Sequence, residues 1–356
     1  MMKPRLLLCI LTAGAMAATG WSAPKKKAAA KPAASSATKA ESKPKAEDPE
    51  DDEGKEETAK KENKKELAPG ELPIYARSAM VLDAKTGDAI YEKNADALEY
   101  PASATKILTA LLVIEAGDLD KLVTVEEVDT KVEPSSLELK PGEQYPRRNL
   151  LYALLLKSAN DVAMALARDN AGSVEAFAEK MTQRAHALGA ESSHFKNPHG
   201  LHDPHHYTTA RDLARIGRAA MQNAFFREIV ATPDMRMIKA DDWIYLKNHN
   251  KLLARMPECI GVKTGYTRAA QQVLVSAATR DGREVVSVVL HTNKPGIWDD
   301  SKLLLSHGLT KLTAPPPAPA APPTETPVPA EGVPATPGTP PAPASAQSGP
   351  TPPAGN

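Results

Sequence analysis

Apolar and polar positions alternate in recognisable patterns only in the central part of the chain, from about residue 71 to 312. Short apolar runs bounded by turn residues are typical of β-strands, and two such pairs occur, one at each end of this part. The strands that they predict are Ser78–Asp83, Asp88–Glu92, Gln272–Thr279 and Glu284–His291. The pairs are joined by turns at Ala84–Gly87 and at Asp281–Gly282, so each end is expected to form a hairpin.

Between the two hairpins the apolar residues recur with the spacing of amphipathic helices. Gly117, Gly189 and Gly308 are expected to end three of these helices, because glycine readily adopts the left-handed conformation that follows a helix. Thr208 or Thr209 is the expected N-cap of another. The helical segments predicted are Ser103–Glu115, Asp161–Arg168, Val174–Leu188, Thr209–Met221 and, after the second hairpin, Asp299–His307; Leu150–Leu156 is a further apolar segment.

The order of these elements predicts an α+β fold. Strands lie at both ends of the central part and helices lie between them. An antiparallel sheet assembled from the two ends, flanked by helices and carrying an inserted helical subdomain, satisfies this order. About 240 residues are enough for one sizeable core.

Outside residues 71–312 the composition is biased. Of the 32 prolines, 16 lie between Pro315 and Pro353, and residues 24–70 are rich in Ala, Lys and Glu. Neither segment has enough apolar surface to offset the entropy lost on ordering, so residues 24–70 and 313–356 are predicted to be disordered.

The first residues predict export. Lys3 and Arg5 precede an apolar stretch, Leu6–Ala18, and small residues follow, which is the pattern of a signal peptide over residues 1–23. The apolar stretch is short for a membrane span, so no stable membrane anchor is expected after cleavage, and an uncleaved anchor is the alternative. Cys259 would then be the sole cysteine, which excludes an intramolecular disulfide. A net charge of zero gives no electrostatic reason to expect nucleic acid binding.

Chemistry first appears at the start of the first predicted helix. Ser103 and Lys106 are three residues apart, which places them on one helix face. A serine hydroxyl is a weak nucleophile that needs an adjacent base, and a lysine with a lowered pKa can act as that base. The N–H groups at a helix start can also stabilise an oxyanion. Taken alone, the pair is better explained as a helix cap beside a surface lysine.

Two further short motifs follow in order. Ser158-Ala-Asn160 offers a hydroxyl to pass a proton and an amide to hold a peptide carbonyl, although both residues are also common helix caps. Lys263-Thr-Gly265 comes just ahead of a predicted strand. Lysine and threonine can bind a carboxylate, and glycine lets a substrate backbone approach closely.

In this order the three motifs resemble the signature of penicillin-binding proteins and class A β-lactamases. The residues around them narrow the resemblance to low-molecular-mass D-alanyl-D-alanine carboxypeptidases, over most of residues 72–312. The segments that carry the narrower resemblance are Tyr91–Asp96, Pro101–Lys106, Leu154–Ala163, Asn197–Leu201, Tyr207–Asp212 and Gly261–Thr267.

The resemblance implies a β-lactamase-like fold and a penicillin-sensitive, exported serine peptidase that needs no cofactor or metal. It implies peptidoglycan stem peptides ending in D-Ala-D-Ala as partners and β-lactams as covalent inhibitors, in the periplasm or at the wall. It also implies roles for individual residues: Ser103 as nucleophile, Lys106 as base, Ser158 as proton carrier with Lys263, Asn160 as an orienting group, and Lys263, Thr264 and Gly265 as the substrate-binding strand. The backbone N–H groups of Ser103 and Tyr266 would form the oxyanion hole.

One position departs from the family pattern, because Gln271 stands where glycine is usual, and its side chain is expected to alter the sheet edge or narrow the cleft.

Other functions also fit parts of the sequence. The segment after the catalytic domain is rich in Pro, Ala and Thr and does not resemble the C-terminal β domain that many of these carboxypeptidases carry, and this shorter architecture also fits a D,D-endopeptidase. A β-lactamase lacks support because no glutamate loop is evident between Asn160 and Lys263, and intact motifs argue against a non-catalytic wall-binding protein. A zinc site is not expected among His199, His202, His205 and His206, because no H-E-x-x-H pattern is present.

Overall fold

The computed structural model describes residues 70–240 and 242–313. The predicted signal peptide, the linker before residue 70 and the proline-rich tail after residue 313 lie outside them, so those boundaries stay predictions. In the described part, the strands are β1 (Ser78–Asp83), β2 (Ala89–Lys93), β3 (Leu122–Thr124), β4 (Gln144–Pro146), β5 (Asp234–Lys239), β6 (Asp242–Lys247), β7 (Cys259–Thr267), β8 (Gln271–Arg280) and β9 (Arg283–Thr292).

Five of these strands form an antiparallel sheet in the order β2-β1-β9-β8-β7. The first strand, β1, pairs with the last, β9, with Ser78 opposite Leu290 and Asp83 opposite Val285. The two ends of the domain therefore meet in the middle of the sheet, which confirms the predicted α+β architecture.

Helices cover both faces of this sheet and fill the long connection between β2 and β7. No described helix is long and apolar enough to cross a membrane. The helices in the described ranges are α1 (Lys106–Glu115), α2 (Arg147–Tyr152), α3 (Asn160–Ala171), α4 (Val174–Ala187), α5 (Ala210–Met221), α6 (Ala224–Ala231), α7 (Leu252–Arg255) and α8 (Gly296–Thr313).

The core is divided by the sheet into two layers. The larger one lies on the side of α1, α3 and α5, and the smaller one lies under α8 and includes Leu304, Leu305 and Leu309. Because both faces of β8 and β9 are covered, their side chains are buried without alternation from Val273 to Ala278 and from Val285 to Leu290. The polar members of these runs are Ser276 and Ser287, whose hydroxyls bond each other at 2.9 Å. This explains why these strands are nearly continuous apolar runs in the sequence.

Several helix boundaries differ from the sequence prediction, and two of these differences bear on packing or on the site. The helix predicted from Ser103 begins as a 3-10 turn, Ala102–Thr105, before α1. The last helix does not end at Gly308 but runs on to Thr313. A Cβ at Gly308 would lie 2.8 Å from Val81 Cγ1 and 3.1 Å from Val285 Cγ1, so this glycine serves close packing on the sheet and not helix termination.

Other elements were not predicted. These are β3, β4, α6, the β5–β6 hairpin and α7, whose helices and strands have eight residues or fewer and are too short for a sustained apolar pattern. The Lys263-Thr-Gly265 motif also lies inside β7, whereas the sequence placed it ahead of a strand.

Candidate active site

The nucleophile candidate lies where the chain enters α1. Ser103 is in the 3-10 turn, and the preceding Ala102 has a φ of 46°, an uncommon conformation for a residue with a Cβ. Lys106 is the first residue of α1 and is completely buried. Its Nζ lies 3.1 Å from Ser103 Oγ, as the three-residue spacing predicts.

Two carbonyl-type oxygens hold the Lys106 amine in place. Its Nζ donates to Asn160 Oδ1 at 2.7 Å and to the backbone oxygen of His199 at 2.8 Å. Asn160 is itself fixed, since its Nδ2 donates to Pro134 O and its backbone N–H donates to Ser135 O, both at 2.6 Å. The amine is therefore oriented by groups from three separate segments of the chain.

Ser158 is presented by an unusual backbone. A π-helical turn, Ala153–Lys157, ends at Ser158, which adopts a left-handed conformation with φ 63° and ψ 27°. Single π-turns are frequent at functional sites, and left-handed non-glycine residues are uncommon. Ser158 Oγ is buried and has no hydrogen-bond partner among the described residues. Such an orphaned hydroxyl calls for a functional explanation.

The edge strand β7 closes the other side of the site. A Cβ on Gly265 would lie 2.8 Å from the backbone nitrogen of Ser103 and 3.1 Å from Ala102 Cβ, so only glycine lets β7 approach the nucleophile this closely. Lys263 is buried, and its Nζ donates to Thr264 O at 2.9 Å. The Thr264 hydroxyl is buried and, like that of Ser158, has no partner in the described part of the chain. Tyr266, next along the strand, is half-buried.

The structure therefore brings the predicted site residues to one place: the 3-10 turn and α1, the start of α3, and β7. The loop containing His199 and Gly200 has no role predicted from the sequence, although it is one of the segments that resemble the family. A Cβ on Gly200 would overlap the carbonyl oxygen of Ala102 and lie 2.8 Å from Thr105 Oγ1. Gly200 thus lets the loop that supplies the His199 oxygen pack directly on the nucleophile turn.

The same loop is tied to α1 at two more points. Thr109 Oγ1 donates to Pro198 O at 2.7 Å, and Thr105 Oγ1 lies 2.9 Å from His206 Nε2. His206 Nδ1 accepts from the backbone N–H of Lys196, so its Nε2 carries the proton and donates to Thr105. In the sequence, the only indication of this hydrogen bond is that a histidine-rich loop and a threonine next to the nucleophile, Thr105, are both present.

Burial keeps both of these histidines uncharged. Burial is the main cause that lowers the pKa of His199 to about 3, and the nearby Lys106 and His206 lower it further. Burial likewise lowers the pKa of His206 to about 3, against the opposing effect of Asp203. Neutral imidazoles add no positive charge to the surroundings of Lys106.

Gln271 is accommodated by its own side chain. Its φ is 55°, which explains why glycine suits this position, and its Nε2 donates to Arg268 O at 2.6 Å. The side chain thus folds back over the turn between β7 and β8, where Ala270 N also donates to Thr267 Oγ1 at 3.0 Å. The hydrogen bond from Gln271 Nε2 to Arg268 O offsets part of the strain of the positive φ, and it keeps the Gln271 side-chain amide within the turn.

Known proteins share both the sequence and the fold. A family model described as D-alanyl-D-alanine carboxypeptidase matches residues 62–294. The chain is 36% identical over 248 residues to the D-alanyl-D-alanine carboxypeptidase DacB2 of Mycobacterium tuberculosis, covering 67% of this chain and 85% of that protein. The crystal structure of the Streptomyces K15 DD-transpeptidase superposes with a TM-score of 0.63 at 33% identity, covering 67% of this chain and 98% of that one.

A relative with a different activity is also similar. The D-alanyl-D-alanine endopeptidase of Pseudomonas aeruginosa is 32% identical over 232 residues, which is 64% of this chain and 72% of that protein. Both the sequence match over more than half of the chain and the shared fold confirm the predicted relationship. The chain belongs to the family of D-alanyl-D-alanine carboxypeptidases, which are serine peptidases of the penicillin-binding-protein fold.

Proposed function

We propose that this chain removes the terminal D-Ala from peptidoglycan stem peptides through an acyl-enzyme on Ser103. The observation that carries the proposal is the 3.1 Å contact between Ser103 Oγ and a buried lysine amine. The oxygens of Asn160 and His199 can only accept hydrogen bonds, so they engage two N–H groups of Lys106. When this amine is deprotonated, its lone pair is within reach of the Ser103 hydroxyl at 3.1 Å, which is the arrangement that a general base requires.

In the acylation step, Ser103 Oγ attacks the carbonyl carbon of the penultimate D-Ala while Lys106 takes the hydroxyl proton. The backbone N–H groups of Ser103 and Tyr266 would stabilise the oxyanion, because Gly265 brings β7 against the nucleophile turn. As the amide bond breaks, Ser158 hands its proton to the leaving nitrogen of D-Ala and takes up the proton that Lys106 received, so that both side chains return to their starting states. Water then hydrolyses the ester and restores the hydroxyl.

The two orphaned hydroxyls support the assignment of the remaining roles. Of the buried hydroxyls without partners in the described residues, Ser158 Oγ and Thr264 Oγ1 are the two that belong to the motifs of this site; the third, Ser301 Oγ, lies in α8. A hydroxyl in that state gains a hydrogen bond when a substrate enters. Ser158 suits the leaving amine, and Thr264 with Lys263 suits the terminal carboxylate.

Release of D-Ala from a soluble peptide ending in D-Ala-D-Ala tests the proposal. Thr264→Val keeps the shape of the side chain and removes its hydroxyl, so KM should rise with a smaller change in kcat. A matched change, Thr310→Val, removes an exposed hydroxyl of α8 that bonds only Ser306 O and should leave both unchanged. If the wild-type chain releases no D-Ala, the proposed activity is wrong.

An endopeptidase activity is the second candidate, favoured by the similarity to the Pseudomonas aeruginosa enzyme. Mass spectrometry of muropeptides separates the two. A carboxypeptidase shortens monomeric pentapeptides by one alanine, whereas an endopeptidase converts crosslinked dimers to monomers of unchanged total composition. Conversion of dimers without loss of alanine from pentapeptides would replace the first proposal by the second.

We also propose that the chain is exported to the periplasm or the outer wall. The supports are the positively charged residues Lys3 and Arg5, the apolar stretch Leu6–Ala18, and a substrate class that lies outside the cytoplasm. Mass spectrometry of the protein recovered from the producing cell should find an N-terminus near residue 24. Recovery of the intact N-terminus in the cytoplasmic fraction would contradict export.

A further inference from the structure

The β5–β6 hairpin presents an exposed apolar face that the catalytic geometry leaves unexplained. Ile238 pairs with Trp243 and Arg236 pairs with Tyr245 across the hairpin, so these four side chains share one face. Ile238, Trp243 and Tyr245 are 51%, 67% and 58% exposed. Large aromatic side chains are seldom left this open on an ordinary solvent face, so the cluster indicates a contact surface.

The opposite face of the hairpin fixes this surface to the catalytic half of the molecule. Met237 and Leu246 point inward and belong to the larger core layer. Strand β6 packs against the π-helical turn Ala153–Lys157, and the next residue is Ser158. The aromatic face is therefore held on a rigid support that continues directly into the candidate active site.

A cavity with both apolar and polar lining adjoins the face. It has a volume of about 270 Å³ and lies between the hairpin and β4, with Ile238 on its wall. Glu143, Gln144 and Asn149 bring a carboxylate and two amides to the same cavity. The exposed rings of Trp243 and Tyr245 can stack on the C–H groups of a ligand, and the neighbouring carboxylate and amides can hydrogen-bond to its hydroxyl or acetamido groups.

The size of the face decides between kinds of occupant. Two strands of six residues cover roughly 20 Å by 10 Å, or about 200 Å². A stable protein partner needs about 800 Å² on each side, so a second copy of this chain would gain too little contact. A narrow, extended and amphipathic polymer matches both the shape of the face and the cavity at its end.

We propose that this surface, comprising Arg236, Ile238, Trp243, Tyr245 and the cavity at Glu143, binds the glycan strand of peptidoglycan, a polymer of N-acetylated amino sugars. The choice of glycan rests on the proposed function, because the stem peptide is attached to that polymer. Trp243 and Tyr245 are alternate residues of one strand, roughly 7 Å apart, and their rings would stack on sugar units while the cavity receives a polar substituent. Binding there holds the attached peptides near Ser103.

The test uses the full chain and two substrates. Trp243→Ala and Tyr245→Ala are compared with Tyr75→Ala, a matched control that removes a 55% exposed aromatic ring beside α8. Binding is measured by calorimetry with N-acetylglucosamine oligomers and by co-sedimentation with glycan strands stripped of peptides. Activity is measured on intact peptidoglycan and on a soluble peptide ending in D-Ala-D-Ala.

We expect each hairpin variant to lose about tenfold in glycan affinity and in activity on intact peptidoglycan, because an aromatic contact is worth about 1.4 kcal/mol. Activity on the soluble peptide should remain that of the wild type, and Tyr75→Ala should change nothing. Unchanged glycan binding in Trp243→Ala and Tyr245→Ala would overturn the inference. So would dimers that dissociate only in these variants, or glycan binding that appears only after residues 314–356 are removed.

The outcome is separable from that for the proposed function. If the wild-type chain binds stripped glycan through the hairpin but releases no D-Ala, the surface stands and the peptidase proposal falls. If D-Ala is released and no oligomer or strand binds, the reverse holds.

Discussion

Two glycines make the same kind of contact on opposite sides of the molecule, with different consequences. Gly265 of β7 lies against the backbone of Ser103, and Gly308 of α8 lies against Val81 and Val285 of the sheet. At each place a Cβ would come within 2.8 Å of its neighbour. At Gly265 the contact brings two strips of polar backbone together, whereas at Gly308 it joins only apolar side chains. Equally close packing therefore helps to form a reaction centre at Gly265 and contributes only to the stability of the fold at Gly308.

The largest expected effect is at the lysine behind the Gly265 contact. Lys106→Met keeps a similar volume but removes the amine, so no base can take the Ser103 proton. We expect kcat/KM for a D-Ala-D-Ala peptide to fall by on the order of 10⁴-fold or more. Steady-state kinetics checks this, with circular dichroism to confirm folding. A loss of less than tenfold in a folded variant would mean that another group is the base.

Gly265→Ala is expected to separate β7 from the nucleophile turn. The added methyl cannot lie 2.8 Å from Ser103 N, so the strand or the turn must shift. A displacement of about 1 Å at a reacting group costs about 10²-fold in rate, and acylation by penicillin should slow by that factor. Stopped-flow measurement of acylation is the readout. Wild-type acylation kinetics would show that the contact has no part in placing the nucleophile.

Gly308→Ala is the matched change on the other side of the sheet. Overpacking against Val81 and Val285 should lower the free energy of unfolding by about 1–3 kcal/mol, reduced by the better helix propensity of alanine. Activity per folded molecule should be that of the wild type. Urea unfolding and kinetics on the same sample measure both quantities, and a loss of activity without a loss of stability would break the comparison.

His206 should make stability depend on pH on the catalytic side. Burial lowers its pKa to about 3, while an unfolded histidine titrates near its ordinary value of about 6.5. Between these values only the unfolded state gains the proton, so the free energy of unfolding falls as the pH falls, by about 1.4 kcal/mol per pH unit. From about pH 7.5 to about pH 5 this residue alone should account for about 2 kcal/mol.

His206→Gln provides the control for that dependence. Glutamine can still donate to Thr105 Oγ1 but does not titrate, so the variant should be less stable than the wild type at neutral pH and should approach it in acid. Urea unfolding of both proteins across this range is the measurement. Parallel pH profiles would show that His206 does not stay neutral in the folded chain.

The smallest effect is expected at Gln271→Gly. Glycine relieves the strain of a φ of 55°, but it removes the bond from Gln271 Nε2 to Arg268 O. The two contributions are each about 1 kcal/mol and opposite in sign, so stability should change by less than about 1 kcal/mol. Thermal unfolding checks this. A change larger than about 2 kcal/mol would mean that one of the two contributions dominates.

The sequence predicted the strands and helices with strong periodicity and the residues with paired chemistry. The three-residue spacing alone predicts that the side chains of Ser103 and Lys106 are neighbours, because one helical turn sets their separation. The His199 oxygen could not be found in this way. His199 is 93 residues away from Lys106 in the sequence. Its contact is made by a backbone oxygen, and the type of side chain does not indicate where a backbone oxygen points.

The end of α8 and the β5–β6 hairpin show the other limit. Gly308 looks like a helix stop in sequence, and only the neighbouring valines reveal that it is a packing position. The hairpin strands expose one face and bury little on the other, so their pattern is weak locally and their register depends on contact with the core.

Covalent labelling by penicillin is the most direct test of Ser103 as the nucleophile. Intact-mass measurement of the purified chain after incubation with benzylpenicillin should show one added penicilloyl group, mapped by peptide digestion to Ser103. The Ser103→Ala variant, folded to the same extent, should show none. An unlabelled wild-type chain, or a Ser103→Ala variant that is labelled as fast as the wild type, would contradict the account.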